Sequence, residues 1–366
     1  MRIAYGVHGY GRGHATRALA VLADLVRRHD VLILAGGDAY DAMHREYPVV
    51  RIPTLGYYYR KNGTRSNWQT LKRNGPAVLD LFFHGPASQM VEDALRDFRA
   101  DVAISDAEPW TSHTARRLGI PRIGFDHFGI MAHCRPEMSW CDRVVSSRDA
   151  WVYRRLMGQP ERVIVSSFYD APPLRPGVTV IGTLLRREVF GVKPSRGEHL
   201  LGYFNKGMHL FSRRVEAALR AQPCEVRVYG TRRKGSDGNL TYCPPSNVRF
   251  LEDLAGCRAV ISTAGNQLVG EALHYGKPML VMPEDCPEQR INALAVERLG
   301  IGAQVSQSAI SAEVVRGFLC DEPKFLDSIR STARDGRREA LDAIERCLVE
   351  LVGAPSVVAD APQQVA

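Results

Sequence analysis

Residues 2–35 read RIAYGVHGYGRGHATRALAVLADLVRRHDVLILA, and this stretch indicates how the whole chain folds. The apolar run at 2–7 predicts a strand, the glycine-rich loop at 9–13 predicts a turn, and 14–28 predicts an amphipathic helix. A second apolar run at 31–35 predicts the next strand. Strand, helix and strand in this order predict a βαβ unit, in which the two strands run parallel.

The same alternation recurs along most of the chain. Further strands are predicted at 101–105, 121–125, 143–147, 199–204, 225–230, 248–251, 258–262 and 278–282. Further helices are predicted at 110–118, 208–221, 265–275, 288–299 and 323–352. The expected class is therefore α/β, with parallel sheets flanked by helices.

A proline-rich stretch interrupts this alternation. Residues 170–178, DAPPLRPGV, contain three prolines, which is typical of a connection between domains. We therefore expect an N-terminal Rossmann-like domain at 1–172, a C-terminal Rossmann-like domain at 173–335, and a terminal helix with a frayed tail at 336–366.

Composition excludes several classes of protein. The chain has 366 residues, of which 45% are apolar and 24% charged, as in a soluble globular protein. No apolar run approaches the ~20 residues of a membrane-spanning helix. The eight cysteines contain no C-x-x-C pair, so we expect reduced thiols and a cytoplasmic location. The spacing of His127, His133, Cys134 and Cys141 matches no zinc pattern, and we expect no metal site.

The net charge of +8 is concentrated in one segment. Residues 51–75 contain six Lys or Arg and no carboxylate, with Tyr57, Tyr58, Tyr59 and Trp68 among them. Such a segment favours contact with an anionic membrane or an anionic substrate, and the alternative is a solvated basic loop. No nucleic-acid-binding motif accompanies the charge, so we expect no nucleic-acid partner.

The glycine loop after the first strand is the first candidate site. Gly11 and Gly13 let the backbone approach a ligand closely, and the following helix directs its N-terminal amides there. The third glycine of a dinucleotide fingerprint is replaced by His14, which argues against a dehydrogenase. We predict that His14 is a general base, the alternative being a histidine that only packs or caps.

A basic histidine usually needs a carboxylate partner. Asp106 ends the predicted strand 101–105, and Glu108 follows two residues later. Either side chain could accept the far imidazole N–H, although the strand-end position favours Asp106. The alternative role for Asp106 is to cap the next helix.

Two further candidate sites lie in the second half of the chain. Thr263, Gly265, Asn266 and Gln267 form a glycine turn between a strand and a helix, whose free amides would hold a phosphate. Glu271, further along the helix, could accept both hydroxyls of an attached ribose. At the next predicted helix start, the carboxylate of Glu288 and the amide of Gln289 suit sugar hydroxyls, the alternative being a charge that complements the helix dipole.

These segments resemble a known family. The stretch STAGNQLVGEALHYGKPMLVMPEDCPEQRINALAVERLGIG at 262–302 is similar to the donor-binding segment of GT-B glycosyltransferases. The likeness is to MurG-type N-acetylglucosaminyltransferases and to glucosyl- and glucuronosyltransferases that use nucleotide sugars. The loop GYGRGHATR at 9–17 resembles the G-x-G-H-x-x-R loop of the same enzymes. The resemblance covers both domains and implies two Rossmann-like domains that face each other across a cleft.

The resemblance also implies roles for individual residues. His14 would act in the cleft; Thr263, Gly265 and Asn266 would hold the diphosphate; Glu271 would bind ribose; and Glu288 and Gln289 would contact the donor sugar. Phe250 and Leu251 would line the base pocket, since VRFLEDLAGCRAVIS at 248–262 resembles the segment that meets the base. The loop at 205–207 would face the phosphates, but it departs from the glycine- and serine-rich form of the family.

The predicted function is glycosyl transfer from a nucleotide diphosphate sugar, most simply a UDP-sugar, to an acceptor hydroxyl. Single displacement with His14 as the base would invert the anomeric configuration. The donor is a co-substrate, and no resident cofactor or metal is expected. The alternatives are a nucleotide-sugar hydrolase of similar fold, a non-catalytic nucleotide-sugar-binding protein and an epimerase.

The acceptor is less constrained by the sequence. The basic, aromatic and then apolar segment at 51–85 favours a lipid-linked or envelope glycan at the inner face of the membrane. A soluble small molecule stacked on the tyrosines is the alternative.

Overall fold

The structure is a computed structural model, and it describes residues 1–56, 58, 66–204, 210–332 and 334–353. Several residues discussed above lie outside this part: Tyr57, Tyr59, Arg60, Lys61, Arg65, the loop at 205–207 and the tail after residue 353. Within the described ranges the chain forms two sheets flanked by helices, so the predicted α/β class is confirmed.

The first sheet is entirely parallel. Its strands are β1 (Arg2–Val7), β2 (Asp30–Ala35), β3 (Val49–Arg51), β4 (Val102–Asp106), β5 (Arg122–Asp126), β6 (Arg162–Ser166) and β7 (Val178–Ile181). Their order across the sheet is β3-β2-β1-β4-β5-β6-β7. These strands are mostly apolar because helices cover both faces of the sheet.

The second sheet is parallel except at one edge. Its strands are β8 (Leu200–Tyr203), β9 (Val226–Tyr229), β10 (Gly235–Asp237), β11 (Leu240–Tyr242), β12 (Ala259–Ser262), β13 (Met279–Val281) and β14 (Gly302–Gln304). Their order is β10-β11-β9-β8-β12-β13-β14, and only β10 pairs in the antiparallel direction among the described strands.

The helices lie between and after these strands. Seven helices lie between β1 and β6 in the described chain: α1 (Arg12–Arg28), α2 (Gly37–Met43), α3 (Asn67–Phe83), α4 (Pro86–Phe98), α5 (Pro109–Arg117), α6 (Gly129–His133) and α7 (Trp140–Met157). The later ones are α8 (Arg187–Phe190), α9 (Arg213–Arg220), α10 (Asn247–Gly256), α11 (Asn266–His274), α12 (Pro287–Arg298), α13 (Ala312–Cys320), α14 (Glu322–Thr332) and α15 (Gly336–Val352). No helix in the described ranges is long and apolar enough to cross a bilayer.

Two strand predictions are wrong. Residues 143–147 lie inside α7, where Ser139 caps the helix and the buried residues Ser146, Ala150 and Tyr153 recur at helical spacing. Residues 248–251 lie inside α10, which begins after the capping residue Ser246. In both cases a cap and a helical burial pattern outweigh the strand propensity of a short β-branched run.

The chain leaves the first sheet later than we expected. β7 pairs in parallel with β6, from Val163 opposite Val178 to Ser166 opposite Ile181, so the sheet extends past the predicted boundary at residues 172 and 173. The crossover to the second sheet therefore lies between Ile181 and Leu200. The prolines mark a turn between two neighbouring strands instead.

The terminal helix returns to the first sheet. Ala340, Ala343, Ile344 and Leu348 of α15 are buried in one core cluster with residues of β1, β4, β5 and α1. A second cluster on the opposite face of the sheet contains residues of α3, α4 and α5. The first lobe is thus built from both ends of the chain.

Replacing Ile344 by Ala should destabilise the first lobe by about 2–5 kcal/mol, because the side chain is fully buried and a cavity would remain. Val349→Ala on the same helix is the control, since Val349 is 48% exposed and should change stability by less than about 0.5 kcal/mol. All four tryptophans lie in this lobe, so urea unfolding can be followed by tryptophan fluorescence. If Ile344→Ala and Val349→Ala lose the same amount of unfolding free energy, the packing of α15 described here is wrong.

Candidate functional site

The parallel first sheet gathers polar residues at one edge. β1, β4, β5 and β6 end at Val7, Asp106, Asp126 and Ser166, and the carboxyl ends of parallel strands meet at the same edge. Residues that end or follow these strands therefore lie side by side. In α/β proteins this edge is where ligands bind.

The second lobe lies against this edge. The Asn266 side chain, at the start of α11, accepts a hydrogen bond from the Phe168 N–H (3.2 Å) and donates to the Ser166 carbonyl (3.4 Å). Glu288 Oε1, in the first turn of α12, lies 3.7 Å from His127 Nε2. The candidate site is therefore the cleft between the two lobes.

His14 and Asp106 form a hydrogen-bonded pair on the first lobe, with 2.7 Å between Nδ1 and Oδ1. Arg17, on the next turn of α1, holds the same carboxylate with Nε 2.8 Å from Oδ2 and Nη2 2.5 Å from Oδ1. The Asp106 side chain has no exposed area, whereas 23% of the His14 side chain is exposed. The partner of His14 is thus Asp106 and not Glu108.

The geometry indicates which nitrogen of His14 carries the proton. Arg17 Nη2 lies 2.9 Å from His14 Nδ1 and could donate to it. In that tautomer, however, the lone pair of Nδ1 would face an ionised oxygen of Asp106 at 2.7 Å, and two acceptors repel each other. Nδ1 therefore donates to Asp106, and Nε2 is left as an acceptor.

Nearby charges favour the ionised form of Asp106 in this pair. Burial alone would raise the pKa of Asp106, but the Arg17 guanidinium and the His14 imidazole outweigh it and hold the pKa below its usual value. The ring of His8 meets the ring of His14 edge to face, with 5.0 Å between centroids. Desolvation, aided by His14, lowers the pKa of His8 to about 3, so His8 is neutral at physiological pH.

Glu108 has a structural role. Its carboxylate accepts hydrogen bonds from the backbone N–H groups of Trp110 (2.8 Å) and Thr111 (2.7 Å), so it caps α5. The capping role considered for Asp106 therefore belongs to Glu108. Glu108 is buried, and burial raises its pKa to about 6.

The start of α11 is the second lobe's contribution to the cleft. Gly265 is the N-cap of this helix, and Thr263 lies just before it, nearly buried. The first backbone N–H groups of a helix have no partner within it and favour an anion. The side-chain amide of Asn266 already forms hydrogen bonds with the first lobe. A phosphate would therefore bind the backbone N–H of Asn266 instead of this amide.

Glu271 is engaged in an ion pair that the sequence did not indicate. Arg186 Nε and Nη2 lie 2.9 Å from the two oxygens of Glu271, and Gln267 Nε2 lies 3.2 Å from Oε1. The Arg186 guanidinium also lies 5.7 Å from the centre of the Phe250 ring. Arg186 thus connects Glu271 with Phe250, and Gln267 joins them through Glu271.

Leu251 does not join this group. It is fully buried in a core cluster of the second lobe, because residue 251 lies on the inner face of α10 and not on a strand. A ligand would contact it only if the core opened. Phe250 belongs to the same cluster, but it keeps 8% of its surface exposed and lies under the guanidinium of Arg186.

Glu288 and Gln289 lie between α11 and the first lobe. Glu288 faces His127, and Gln289 Nε2 lies 4.0 Å from the position of a Cβ built on Gly265. Gln289 Oε1 is buried and has no hydrogen-bond partner among the residues that the structure describes. The two predicted sugar contacts therefore border the start of α11.

The glycine loop forms the floor of the first lobe's half of the cleft. Gly11 is the N-cap of α1, has a φ of 83° and donates its N–H to Asp38 Oδ2 at 3.0 Å. At Gly9, a Cβ would lie 2.2 Å from the Gly36 carbonyl oxygen, so only glycine fits there. A Cβ on Gly13 would meet no described atom within 4 Å, which is consistent with space for a ligand.

Sequence reasoning missed five residues of the cleft. Arg17 belongs to the G-x-G-H-x-x-R loop, and His8 and His127 each follow the end of a strand. The sequence pattern could therefore have identified these three as candidates. Arg186 and Tyr169 lie in connections between elements, where no local pattern marks them.

The described residues contain no group of three or more His, Cys, Asp or Glu that could hold a metal ion. That the reaction needs no metal remains a prediction.

Comparison with known proteins gives a consistent result. The family described as glycosyl transferase family 1 matches residues 1–323. An uncharacterised glycosyltransferase of Methanosarcina acetivorans is 25% identical over 390 residues, covering 96% of this chain and 99% of the relative.

Two solved glycosyltransferases have a similar fold. MurG of Acinetobacter baumannii has a TM-score of 0.63 at 15% identity, covering 94% of this chain and 99% of its own. UGT2 of Phytolacca americana, in complex with UDP-2-fluoroglucose and pterostilbene, has a TM-score of 0.68 at 14% identity. The match covers 95% of this chain and 98% of the plant enzyme. The predicted GT-B architecture is thereby confirmed.

The raised pKa of Glu108 makes a testable contribution to stability. A carboxyl whose pKa rises from 4.5 to about 6 on folding stabilises the fold below pH 4.5 and loses that contribution as the pH rises past 6. Relative to Glu108→Gln, the wild type should lose about 2 kcal/mol of unfolding free energy between pH 4 and 7. Glu46→Gln, at an exposed position, is the control. If the difference in unfolding free energy between the wild type and Glu108→Gln does not depend on pH, the pKa of Glu108 is not raised on folding.

Proposed function

The chain belongs to glycosyl transferase family 1, and we propose that this glycosyltransferase moves a sugar from a nucleotide diphosphate sugar to an acceptor hydroxyl by inverting displacement. The observation that carries the proposal is the His14–Asp106 pair at one edge of a cleft whose other edge is formed by the start of α11. One edge supplies a base for the acceptor, and the other supplies a binding site for the leaving diphosphate.

The first step of the reaction concerns the acceptor. Its hydroxyl proton passes to His14 Nε2, while the Nδ1–H bond to Asp106 stabilises the imidazolium that forms. The acceptor oxygen then attacks the anomeric carbon from the face opposite the diphosphate. The bond between that carbon and the diphosphate oxygen breaks, and the oxygen leaves with the electron pair.

The second lobe stabilises the leaving group. The unpaired N–H groups at the start of α11 and the positive end of its dipole face the developing negative charge of the nucleoside diphosphate. The ribose would bind beside Glu271 and the base beside Phe250. Since Arg186 now holds both oxygens of Glu271, ribose hydroxyls would have to share or replace its hydrogen bonds.

We propose a UDP-sugar as the donor. The complex of the structurally similar plant enzyme with a UDP-sugar supports this choice. Arg186, which carries donors only, lies over the Phe250 ring and suits the carbonyl oxygens of uracil.

For the acceptor we propose a lipid-linked glycan reached from the cytoplasmic face of an anionic membrane. α3 exposes Trp68 (71%), Leu71 (68%), Leu79 (58%) and Phe83 (79%) on one side, with Lys72 among them. These positions recur at helical spacing, although the opposite side of α3 already packs in the core. An unpartnered apolar face with a cation and a tryptophan suits a membrane interface.

A second helix in the same layer repeats this pattern. α7 exposes Trp140 (77%), Val144 (56%) and Trp151 (59%) in one stripe. Exposed arginines flank the stripe: Arg143, Arg148 and Arg155. α5 contacts both α3 and α7, so the two helices lie close together in the first lobe. Cations on both helices complement the charge of an anionic lipid surface.

The proposed donor site and base can be tested separately. In a thermal-shift screen with UDP, dTDP, GDP, CDP and ADP, UDP at a hundred times its Kd should add about 2.7 kcal/mol of stability. His14→Ala should keep that shift but lose about 10²- to 10⁴-fold in sugar transfer, because only the base is removed. His44→Ala, at the exposed histidine that follows α2, should match the wild type.

Three results would contradict this proposal. They are the absence of a shift with every diphosphate, the loss of UDP binding in His14→Ala, and release of the sugar to water at the full rate without an acceptor.

The membrane contact should appear in flotation with vesicles of phosphatidylglycerol and phosphatidylcholine. The wild type should float at low salt and less at 1 M salt, because screening weakens the contact of the arginines with the lipid. Replacing both Trp140 and Trp151 by Ala should lower binding about thirtyfold, since each ring contributes on the order of 1 kcal/mol. Val248→Ala, which alters an exposed side chain of the second lobe, is the control. No flotation of the wild type at low salt would contradict the contact.

A further inference from the structure

Several buried polar atoms where the two lobes meet have no hydrogen-bond partner. They are His127 Nε2, Tyr169 Oη and Gln289 Oε1, and no described residue satisfies any of them. His127 is 6% exposed and Tyr169 is 7% exposed, so bulk water reaches neither side chain freely. Buried polar side chains without partners are rare in native proteins, and they often mark a site that a ligand completes.

His127 presents a hydrogen-bond acceptor to this region. Its Nδ1 lies 2.7 Å from the Ser166 carbonyl oxygen, which can only accept, so Nδ1 carries the proton. Burial lowers the pKa of His127 despite the opposing charge of Glu288, so the ring is neutral and Nε2 has a free lone pair.

Glu288 adds a second acceptor beside the first. Its Oε1 lies 3.7 Å from His127 Nε2, which is too far for a hydrogen bond and leaves no proton between the two atoms. About a third of the Glu288 side chain is exposed, so the carboxylate borders the open cleft. Two acceptors in this arrangement need a donor from outside the described protein residues.

Tyr169 completes the group from the connection between β6 and β7. Burial and the nearby Glu288 charge raise the pKa of its phenol, which therefore stays protonated. The hydroxyl can both donate and accept. His127, which follows β5, and Glu288 of α12 thus face each other from the two lobes, and Tyr169 lies close enough for the charge of Glu288 to affect its phenol.

The position of this group indicates which part of a ligand reaches it. Gln289 follows Glu288 in the first turn of α12, and its Nε2 lies 4.0 Å from a Cβ built on Gly265, the N-cap of α11. The group therefore lies next to the proposed diphosphate site. The next part of a nucleotide sugar beyond the diphosphate is the sugar ring.

We propose that His127 and Tyr169, together with Glu288, form a subsite that binds a hydroxyl group of the transferred sugar and selects among donor sugars. This inference rests on the proposed function. A sugar hydroxyl has one proton, which it donates to His127 Nε2, and its oxygen can accept the phenol O–H of Tyr169. Glu288, which borders the open cleft, takes its hydrogen bond from a neighbouring hydroxyl of the same ring. A donor that lacks the first hydroxyl leaves His127 and Tyr169 unpaired, and sites built to bind a hydroxyl discriminate strongly against such analogues.

The test compares binding of a nucleotide with binding of its sugar conjugate. The full chain is titrated with UDP, with UDP-glucose and with the 3-, 4- and 6-deoxy forms of UDP-glucose, or with the matching set for the nucleotide selected by the thermal screen. The variants are His127→Leu and Tyr169→Phe, which remove the polar atoms, and His127→Gln, which keeps an acceptor. His133→Leu, at a buried histidine of the neighbouring α6, is the control.

The expected readout is the ratio of the Kd for the sugar nucleotide to the Kd for the nucleotide alone. His127→Leu and Tyr169→Phe should raise this ratio about tenfold each and should lose discrimination against one deoxy donor. Binding of UDP itself should not change, and His127→Gln should restore most of the effect. Because the hydroxyl of Tyr169 has no partner, Tyr169→Phe should melt no lower than the wild type.

Two results would overturn the inference, and they are distinct from failure of the proposed function. If UDP binds and the ratio is the same in the wild type, His127→Leu and Tyr169→Phe, the subsite does not exist. If one deoxy donor is discriminated equally by the wild type and both variants, other residues select the sugar. If no nucleoside diphosphate binds the wild type, the proposed function fails first.

Discussion

The buried ion pair between Asp106 and Arg17 is the interaction on which the candidate site depends. A carboxylate without solvent contact would take up a proton unless a cation compensated for the lost hydration. The fork of Arg17 meets both oxygens of Asp106 and keeps it ionised. Only an ionised Asp106 can hold the Nδ1 proton of His14. The proposed base, its partner and the compensating cation therefore form one unit, and α1 supplies two of its three members.

A second constraint is the junction between the lobes. The side chain of Asn266 forms hydrogen bonds with Phe168 and Ser166. These bonds connect the helix start that we propose for the diphosphate with the end of β6 and the connection after it. The Arg186–Glu271 ion pair similarly ties the crossover between the sheets to α11. Residues near the proposed donor site thus hold the two halves of the cleft together, and a ligand that disturbs either contact would also affect how the lobes sit.

Much of the fold could be predicted because it depends on local patterns. Apolar runs followed by glycine turns predicted most of the strands, and the strand-end rule placed Asp106 beside His14. The helix at 247–256 was mistaken for a strand because VRFL is compatible with both, and the cap at Ser246 decides between them. The end of the first sheet was misplaced because whether β7 pairs with β6 depends on long-range contacts.

The candidate site could be predicted only in part, for the same reason. His14, Asp106, Glu271 and Glu288 could be named as candidates because each lies at or near a strand end or a helix start that the sequence indicates. The contact of Arg186 with Glu271 joins residues 85 positions apart and leaves no local trace. Whether a polar atom finds a partner, as for His127 and Tyr169, is a property of the packed structure.

The position of α15 has a consequence for how the protein is made. Its apolar side packs against β4, β6, β7 and α1, and the residues of α1 are translated more than 300 positions earlier. While the ribosome synthesises the second lobe, α1 and α2 already cover part of this face of the first sheet, and the rest is covered only when α15 emerges. Such contacts between distant parts of a chain slow folding. A nascent chain that stalls before residue 336 would expose an apolar sheet surface, which is a natural target for chaperones.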